Sequence, residues 1–412
     1  MKRVVIIGCG FLGLNAAKTL GNKDGVEVVM IDRNNYHLFQ PLLYQVATAG
    51  LSAAEIAAPV RSILSGYRNI RIYKAEVRSV APDNRTVESD IGTHEYDYLI
   101  LGCGAQTTYY GNEQWMEYAV GLKTVEQALE IRKKILTAFE MAEASNDVNE
   151  KARLLTFVIV GGGSTGVELA GAIGELSRFT LAKDFRNIDP KMARIILVEA
   201  GDRILPSFSE KLSSRAARDL ESLGVQIWTL KKVNGIDENS VTVGNERIET
   251  STVIWAAGIQ AAGIDGLIDA RVDRAGRIVV QPDLSIKGRP ELFAGGDQAA
   301  FYEENGKALP PLAPVALQQG RFIARTILKD IRGAERTAFR YLDKGQLATI
   351  GRKKAVLEFG RLRAGGFPAW VLWLLIHIYY LIGFKNKLFV ILQWTLSYMT
   401  YGKGARLIVN RK

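Results

Sequence analysis

The sequence predicts an α/β fold in which one strand–turn–helix unit occurs twice, ahead of an apolar helical tail. Three observations carry this reading. A glycine-rich turn follows a short apolar run at Gly8 and again at Gly161, each copy closes on a similar later strand, and 367–384 hold no formal charge. The 412 residues are enough for two or three domains. A chain that is 48% hydrophobic and 23% charged is not largely disordered. Forty glycines against 11 prolines favour tight strand-to-helix turns over linkers. The net charge of +10 points to anionic partners such as nucleotides or lipid headgroups. Cys9 and Cys103 are the two cysteines, so no disulfide framework exists and a reducing compartment fits.

The first unit opens with the strand Val4–Ile7. Lys2-Arg3 before this apolar run imitate a signal peptide, but Gly8, Gly10 and Gly13 break the run at once, so the chain is expected to stay in the cytoplasm. Gly8-Cys9-Gly10-Phe11-Leu12-Gly13 leads into apolar residues at helical spacing, and the strand Val26–Asp32 then ends on an acid 19 positions after Gly13. This is the spacing of a dinucleotide fingerprint. Gly8 makes the turn, Gly10 lets a pyrophosphate approach the backbone, and Gly13 lets helix and strand pack closely. The helix N-terminus supplies N–H groups, and Asp32 accepts from ribose hydroxyls.

The second unit repeats this order. Phe157–Val160 runs into Gly161-Gly162-Gly163-Ser164-Thr165-Gly166, and Ile195–Glu199 is the second acid-tipped strand. Gly166 and Glu199 are 33 positions apart, which implies an inserted excursion over 178–194. Leu99–Gln106 closes the first copy and Ile254–Gln260 the second; Gly104 follows Gly8 by 96 positions and Gly258 follows Gly161 by 97. Two Rossmann-like dinucleotide-binding sites are the reading. A further strand ends in Gly295-Gly296-Asp297. A proline-rich loop follows it, then a helix from about Val315 to Ile331 with Pro314 at its start.

With these motifs in place, the chain resembles the two-dinucleotide-binding flavoproteins, and within them the type II NADH dehydrogenases, single-subunit NADH:quinone oxidoreductases. The segment Asn34–Gly50, containing His37, Tyr44 and Gln45, carries the resemblance. So does the close, with Gly383–Lys387, Gln393-Trp394, Tyr398 and Gly402–Leu407. The resemblance implies two glutathione-reductase-like domains and a C-terminal membrane-anchoring helical segment. It divides the chain into a discontinuous FAD-binding domain (1–113 and 265–335), an NADH-binding domain (114–264) and a membrane-associating region (336–412). It also implies that Gly8, Gly10, Gly13, Asp32 and Asp297 hold FAD non-covalently, and that Gly161, Gly163, Gly166 and Glu199 hold NADH. Phe11, Arg33, Val77, Gly104, Gly258, Ala316 and Gln318 are further expected cofactor contacts. A carboxylate at Glu199 favours NADH over a 2′-phosphorylated nucleotide, although Arg203 lies close behind it. The family's quinone-side motif, Ala-Gln-x-Ala-x-Gln, reads Ala313-Pro314-Val315-Ala316-Leu317-Gln318 here, with proline in place of the first glutamine. Gln318 is the expected quinone contact and Gln319 its substitute.

Hydride transfer between nicotinamide and flavin needs no protein nucleophile or metal, in keeping with three histidines (His37, His94, His377) and no metal-ligand spacing. The helix at Val315 can turn its positive end to the flavin. The resemblance places Glu168 at the flavin–quinone junction, interacting with Lys385; the bland alternative is a solvated helix carboxylate. Glu168, Gln318 and Lys385 are thus the candidate catalytic residues. Thiol or sulfide chemistry lacks a cysteine pair. A soluble reductase passing electrons to a protein, and a non-catalytic NADH-sensing membrane flavoprotein, remain as alternatives.

The tail speaks for a membrane. Its length alone suits a transmembrane helix, yet His377, Tyr379-Tyr380 and the following apolar stretch 388–401, flanked by Lys385, Lys387, Lys403 and Arg406, read as an in-plane helical pair. The expected protein is peripheral and monotopic on the cytoplasmic face of the cell membrane. Its expected partners are a ubiquinone-, menaquinone- or plastoquinone-type quinone, the bilayer surface and a second copy of itself, with no nucleic acid.

Overall fold

The computed structural model describes residues 1–266, 270–400, 402 and 404–408; Lys403, expected to flank the tail, lies outside them, as do Tyr401 and Lys412. By contact the chain divides into two units, the first holding 1–38, 57–106 and 259–343, the second 39–56, 107–258 and 344–412.

The first unit is built on a six-stranded sheet. Its order is Ser285–Ile286, Arg289–Ala294, Tyr98–Leu101, Lys2–Ile7, Val26–Asp32 and Ile70–Lys74. Lys2–Ile7 lies between parallel neighbours on both sides, Val4 beside Val28 and Tyr98. Val4, Val5 and Ile6 are wholly buried in succession. A central parallel strand is covered on both faces, so its residues are apolar in a run rather than in alternation. The Phe11–Leu20 helix follows the glycine turn and packs on the Ala313–Ile331 helix. A glycine enables the approach: a Cβ at Gly320 would stand 2.3 Å from the Leu12 carbonyl oxygen.

The second unit repeats the plan with five parallel strands, ordered Ala119–Gly121, Thr252–Trp255, Thr156–Val160, Arg194–Val198 and Val225–Trp228. The Ser164–Glu175 helix follows its glycine turn. Leu176–Thr180 continues it as a π-helical turn, and 178–194 otherwise contains only the short Pro190–Met192 helix, an irregular excursion as the spacing implied.

Each unit also carries a three-stranded antiparallel meander that the sequence reading did not foresee. One comprises Val77–Ala81, Thr86–Ser89 and Gly92–Glu95, the other Val233–Ile236, Ser240–Val243 and Glu246–Glu249. Turn residues at Pro82-Asp83-Asn84 and Asp237-Glu238-Asn239, each ahead of an alternating run, were the available signal.

Contact groups the chain differently from the three regions drawn from sequence. The C-terminal sheet, Gln346–Gly351, Lys354–Phe359 and Leu362–Gly365, belongs to the second unit. It packs on the Ser164–Glu175 helix, where a Cβ at Gly171 would stand 1.7 Å from the Ile350 carbonyl oxygen. The segment 39–56 joins the same unit. The apolar tail forms two helices, Phe367–Tyr380 and Phe384–Thr400, separated at Gly383, whose φ is 91°. The two helices meet through Trp370 and Tyr398 and through Trp373 and Trp394. Among the described residues no helix is long and apolar enough to cross a membrane.

Candidate functional site

The two glycine turns have one geometry. Gly8 (φ 97°) and Gly161 (φ 108°) adopt a conformation that L side chains rarely enter. A Cβ at Gly13 would meet the Gly8 carbonyl oxygen at 1.9 Å, and one at Gly166 would meet that of Gly161 at 1.9 Å. Gly10 and Gly163 face open space, with nothing among the described residues within 4 Å of a built Cβ. The middle glycine of each turn therefore presents bare backbone at a helix N-terminus, where an anion is stabilised.

The two acids behave alike. Asp32 accepts from the Cys9 N–H at 2.6 Å and the Asn34 N–H at 2.7 Å. Glu199 accepts from Gly162 at 2.6 Å and Gly201 at 2.6 Å. Each carboxylate thus ties the end of its strand to the second residue of its turn. Burial pushes the Asp32 carboxyl above its usual range, against the two N–H donors. Arg203 donates to the Pro206 carbonyl at 3.3 Å.

Around the first turn, His37 is buried, its Nδ1 donating to the Cys9 carbonyl at 2.9 Å and its ring edge-on to Phe11. Burial lowers its pKa to about 4, so it is neutral. Its Nε2 is buried and, among the described residues, has no hydrogen-bond partner. Open space at Gly10, a backbone cradle and this unmet nitrogen fit a bound dinucleotide such as FAD. Asp297 lies in the short helix Gly296–Gln298 that ends the Arg289–Ala294 strand. Gln298 beside it accepts from Cys103 N–H and donates to Ala262, while Gln319 accepts from Gly296 N–H at 2.7 Å. Ala316 is buried, Gly104 has φ 73° with nothing within 4 Å of a built Cβ, Val77 is half-buried and Arg33 exposed. In the second unit, a Cβ at Gly258 would meet the Tyr110 hydroxyl at 2.2 Å.

Two expected catalytic residues have other occupations. Gln318 clasps the Leu342 backbone, donating from Nε2 at 2.9 Å and accepting at Oε1 at 3.0 Å. This pair of bonds to Leu342 is a contact that spacing alone does not disclose. Lys385 is exposed, its ammonium 5.8 Å above the Phe389 ring. Among the described residues it makes no ion pair with Glu168, because it stands at the exposed start of the last helix.

Glu168 is half-buried rather than freely solvated. It lines a cavity of about 70 Å³ in the second unit, with Tyr44, Gln45, Ala172, Arg352, Trp394 and Tyr398 among the other walls. That is room for roughly five waters. The Thr349 N–H points at its Oε1 at 3.5 Å. Burial pushes its carboxyl up to about 8, and the Thr349 N–H only partly opposes this. Glu175, one helical stretch further on, accepts from the Arg352 N–H. The tail thus contributes Trp370, Trp394 and Tyr398 to a cavity wall, roles that composition did not suggest.

The family description "pyridine nucleotide-disulphide oxidoreductase" matches residues 2–320, and "NDH2 C-terminal domain" matches 344–401. The chain is 43% identical to the type II NADH:quinone oxidoreductase Ndh of Mycobacterium tuberculosis, over 100% of this chain and 91% of that one. The chain belongs to this family. The fold of the type II NADH:quinone oxidoreductases extends over it: the structure of NDH2 from Plasmodium falciparum, determined with NADH, superposes with a TM-score of 0.90 at 20% identity, covering 99% of this chain and 100% of that one. A sulfide:quinone oxidoreductase from Aquifex aeolicus shares the fold at a TM-score of 0.76 and 20% identity, over 94% of this chain and 92% of that one. Here both cysteines are free, and burial raises both thiols well above their usual range, the opposite of a reactive pair.

Proposed function

We propose that the first glycine turn holds FAD, the second holds NADH, and the Glu168 cavity receives the quinone headgroup. The protein is a non-proton-pumping NADH:quinone oxidoreductase of the type II family. FAD, when bound, supplies the hydride acceptor and two-electron donor. The chain's own residues do the rest. Gly10 and Gly163 present backbone N–H groups to pyrophosphates, Asp32 and Glu199 accept from riboses, and Glu199 disfavours a 2′-phosphate.

The observation that carries the quinone assignment is the Glu168 carboxyl facing a cavity walled by the rings of Tyr44, Trp370, Trp394 and Tyr398, where burial pushes its pKa up to about 8. Quinone reduction takes up protons as well as electrons. A carboxyl that is still protonated near neutrality can hold one where a quinone oxygen needs it. Substituting Ala172→Phe, which fills the cavity, is expected to abolish turnover with a short-chain quinone while sparing NADH oxidation with a water-soluble artificial acceptor. Equal loss with both acceptors contradicts the assignment.

The tail supports attachment to a lipid surface. Phe367, Leu375, Tyr379, Phe389, Leu392 and Leu396 are exposed on its two helices beside Lys385 and Lys387. Exposed apolar rings and aliphatic chains next to lysines suit the interface of an anionic leaflet. The expected bilayer face is the cytoplasmic one, where NADH is available. The competing occupant of this face is a second copy of the chain, which a vesicle-binding assay separates from lipid.

A further inference from the structure

A hydrogen-bond chain leads from the last helix to the cavity. Trp394 donates its Nε1–H to Gln45 Oε1 at 2.8 Å, joining positions 349 apart. An indole N–H is a donor only, so it fixes which end of the Gln45 amide faces it. The amide nitrogen must then face the other way, and it donates to the Tyr44 hydroxyl oxygen at 3.0 Å. A hydroxyl oxygen that accepts from one side turns its own proton elsewhere. Among the described residues the Tyr44 hydroxyl proton has no acceptor, although Tyr44 is only 6% exposed and lines the cavity with Gln45 and Trp394.

We propose that Trp394 and Gln45 lock the Tyr44 hydroxyl as a hydrogen-bond donor into the cavity, where it binds a carbonyl oxygen of the quinone. The inference rests on the cavity being the quinone site. Tyr44 is then a substrate-contacting residue, and Gln45 and Trp394 are positioning residues. Glu168 and Glu175 face the same space from the Ser164–Glu175 helix, Arg352 from the turn after Gln346–Gly351, and Tyr398 from the Phe384–Thr400 helix. Burial first, and then the Glu168 charge, keep the Tyr44 hydroxyl protonated far above its usual range, so it stays a donor throughout the working pH.

Gln45→Glu tests the lock with almost no change of shape. An ionised glutamate has two acceptor oxygens, takes the Trp394 N–H with one and the Tyr44 O–H with the other, and so turns the tyrosine proton out of the cavity. The expected result is a KM for a short-chain quinone raised by about tenfold at alkaline pH, the effect of one lost hydrogen bond. Flavin reduction by NADH should be unchanged. The loss should shrink as the pH falls and the new carboxyl is protonated. Tyr44→Phe should show the same loss at every pH, and the double variant should be no worse than Tyr44→Phe alone. A Gln45→Glu enzyme with the parent's quinone KM at all pH values overturns the proposal. If Ala172→Phe blocks quinone turnover in that case, only the tyrosine lock has failed; if Ala172→Phe is also silent, the cavity assignment has failed with it. Should Gln45→Glu not fold, Trp394→Phe frees the amide to flip, and an unchanged quinone KM there overturns the proposal equally.

Discussion

Glu168 is the residue whose surroundings matter most, and its sequence position gave only half of its character. The glycine fingerprint places it just inside a helix, but nothing local shows that a strand arriving from 346–351 and helices from 367–400 enclose it. That enclosure has a consequence for stability. The folded-state pKa of about 8 lies above the ordinary 4.5, so between these values the folded protein binds more protons than the unfolded chain. Stability from this group is therefore greatest below the lower value and falls as the pH rises through the higher one. Glu168→Gln removes that slope. Thermal unfolding should show the variant gaining on the parent at alkaline pH and not at acidic pH; a gap constant with pH contradicts the burial. Gln318 makes the complementary point. Its spacing matched a family motif, but the neighbouring loop takes both ends of its amide at Leu342.

At the scale of elements, the repeated strand–turn–helix units were legible because their chemistry is local. A positive φ at the first glycine and a close approach at the third must be written in the sequence. The order of strands beside them follows from right-handed parallel crossovers. The two meanders were less legible, since short antiparallel strands carry weak periodicity. The seat of the C-terminal sheet was not legible at all, because Gly171 reads as an ordinary helix glycine until the Ile350 carbonyl is found against it. Gly171→Ala would place a methyl group 1.7 Å from that oxygen. We expect a loss of at least about 1–3 kcal/mol in chemical unfolding, the usual cost of overpacking, together with weaker quinone turnover, because Thr349 and Arg352 move with the sheet. An alanine variant as stable as the parent contradicts this packing.

At the scale of the whole molecule, charge and exposed apolar surface act together. On the proposed attachment to lipid, the net +10 would draw the chain to an anionic surface, and the exposed residues of the last two helices would supply the part of the binding that salt does not screen. Each large side chain fully buried contributes about 1.5–3 kcal/mol. Changing Leu375, Phe389 and Leu392 together to Glu should release the protein from anionic vesicles at every salt concentration and leave turnover with a short-chain quinone intact. High salt alone should only weaken attachment of the parent. Release of the parent by salt alone would show an electrostatic contact without insertion. Cutting off the tail is a poorer test, because Trp394 and Tyr398 belong to the cavity wall.

The family's reaction carries two electrons from NADH through a bound flavin to a quinone. An anaerobic titration of the purified holoenzyme tests it most directly, adding NADH and then a short-chain quinone while flavin absorbance is followed. One equivalent of NADH per chain should bleach the flavin, and one equivalent of quinone should restore it. A flavin that NADH leaves oxidised, or that stays bleached when the quinone is added, would contradict the account.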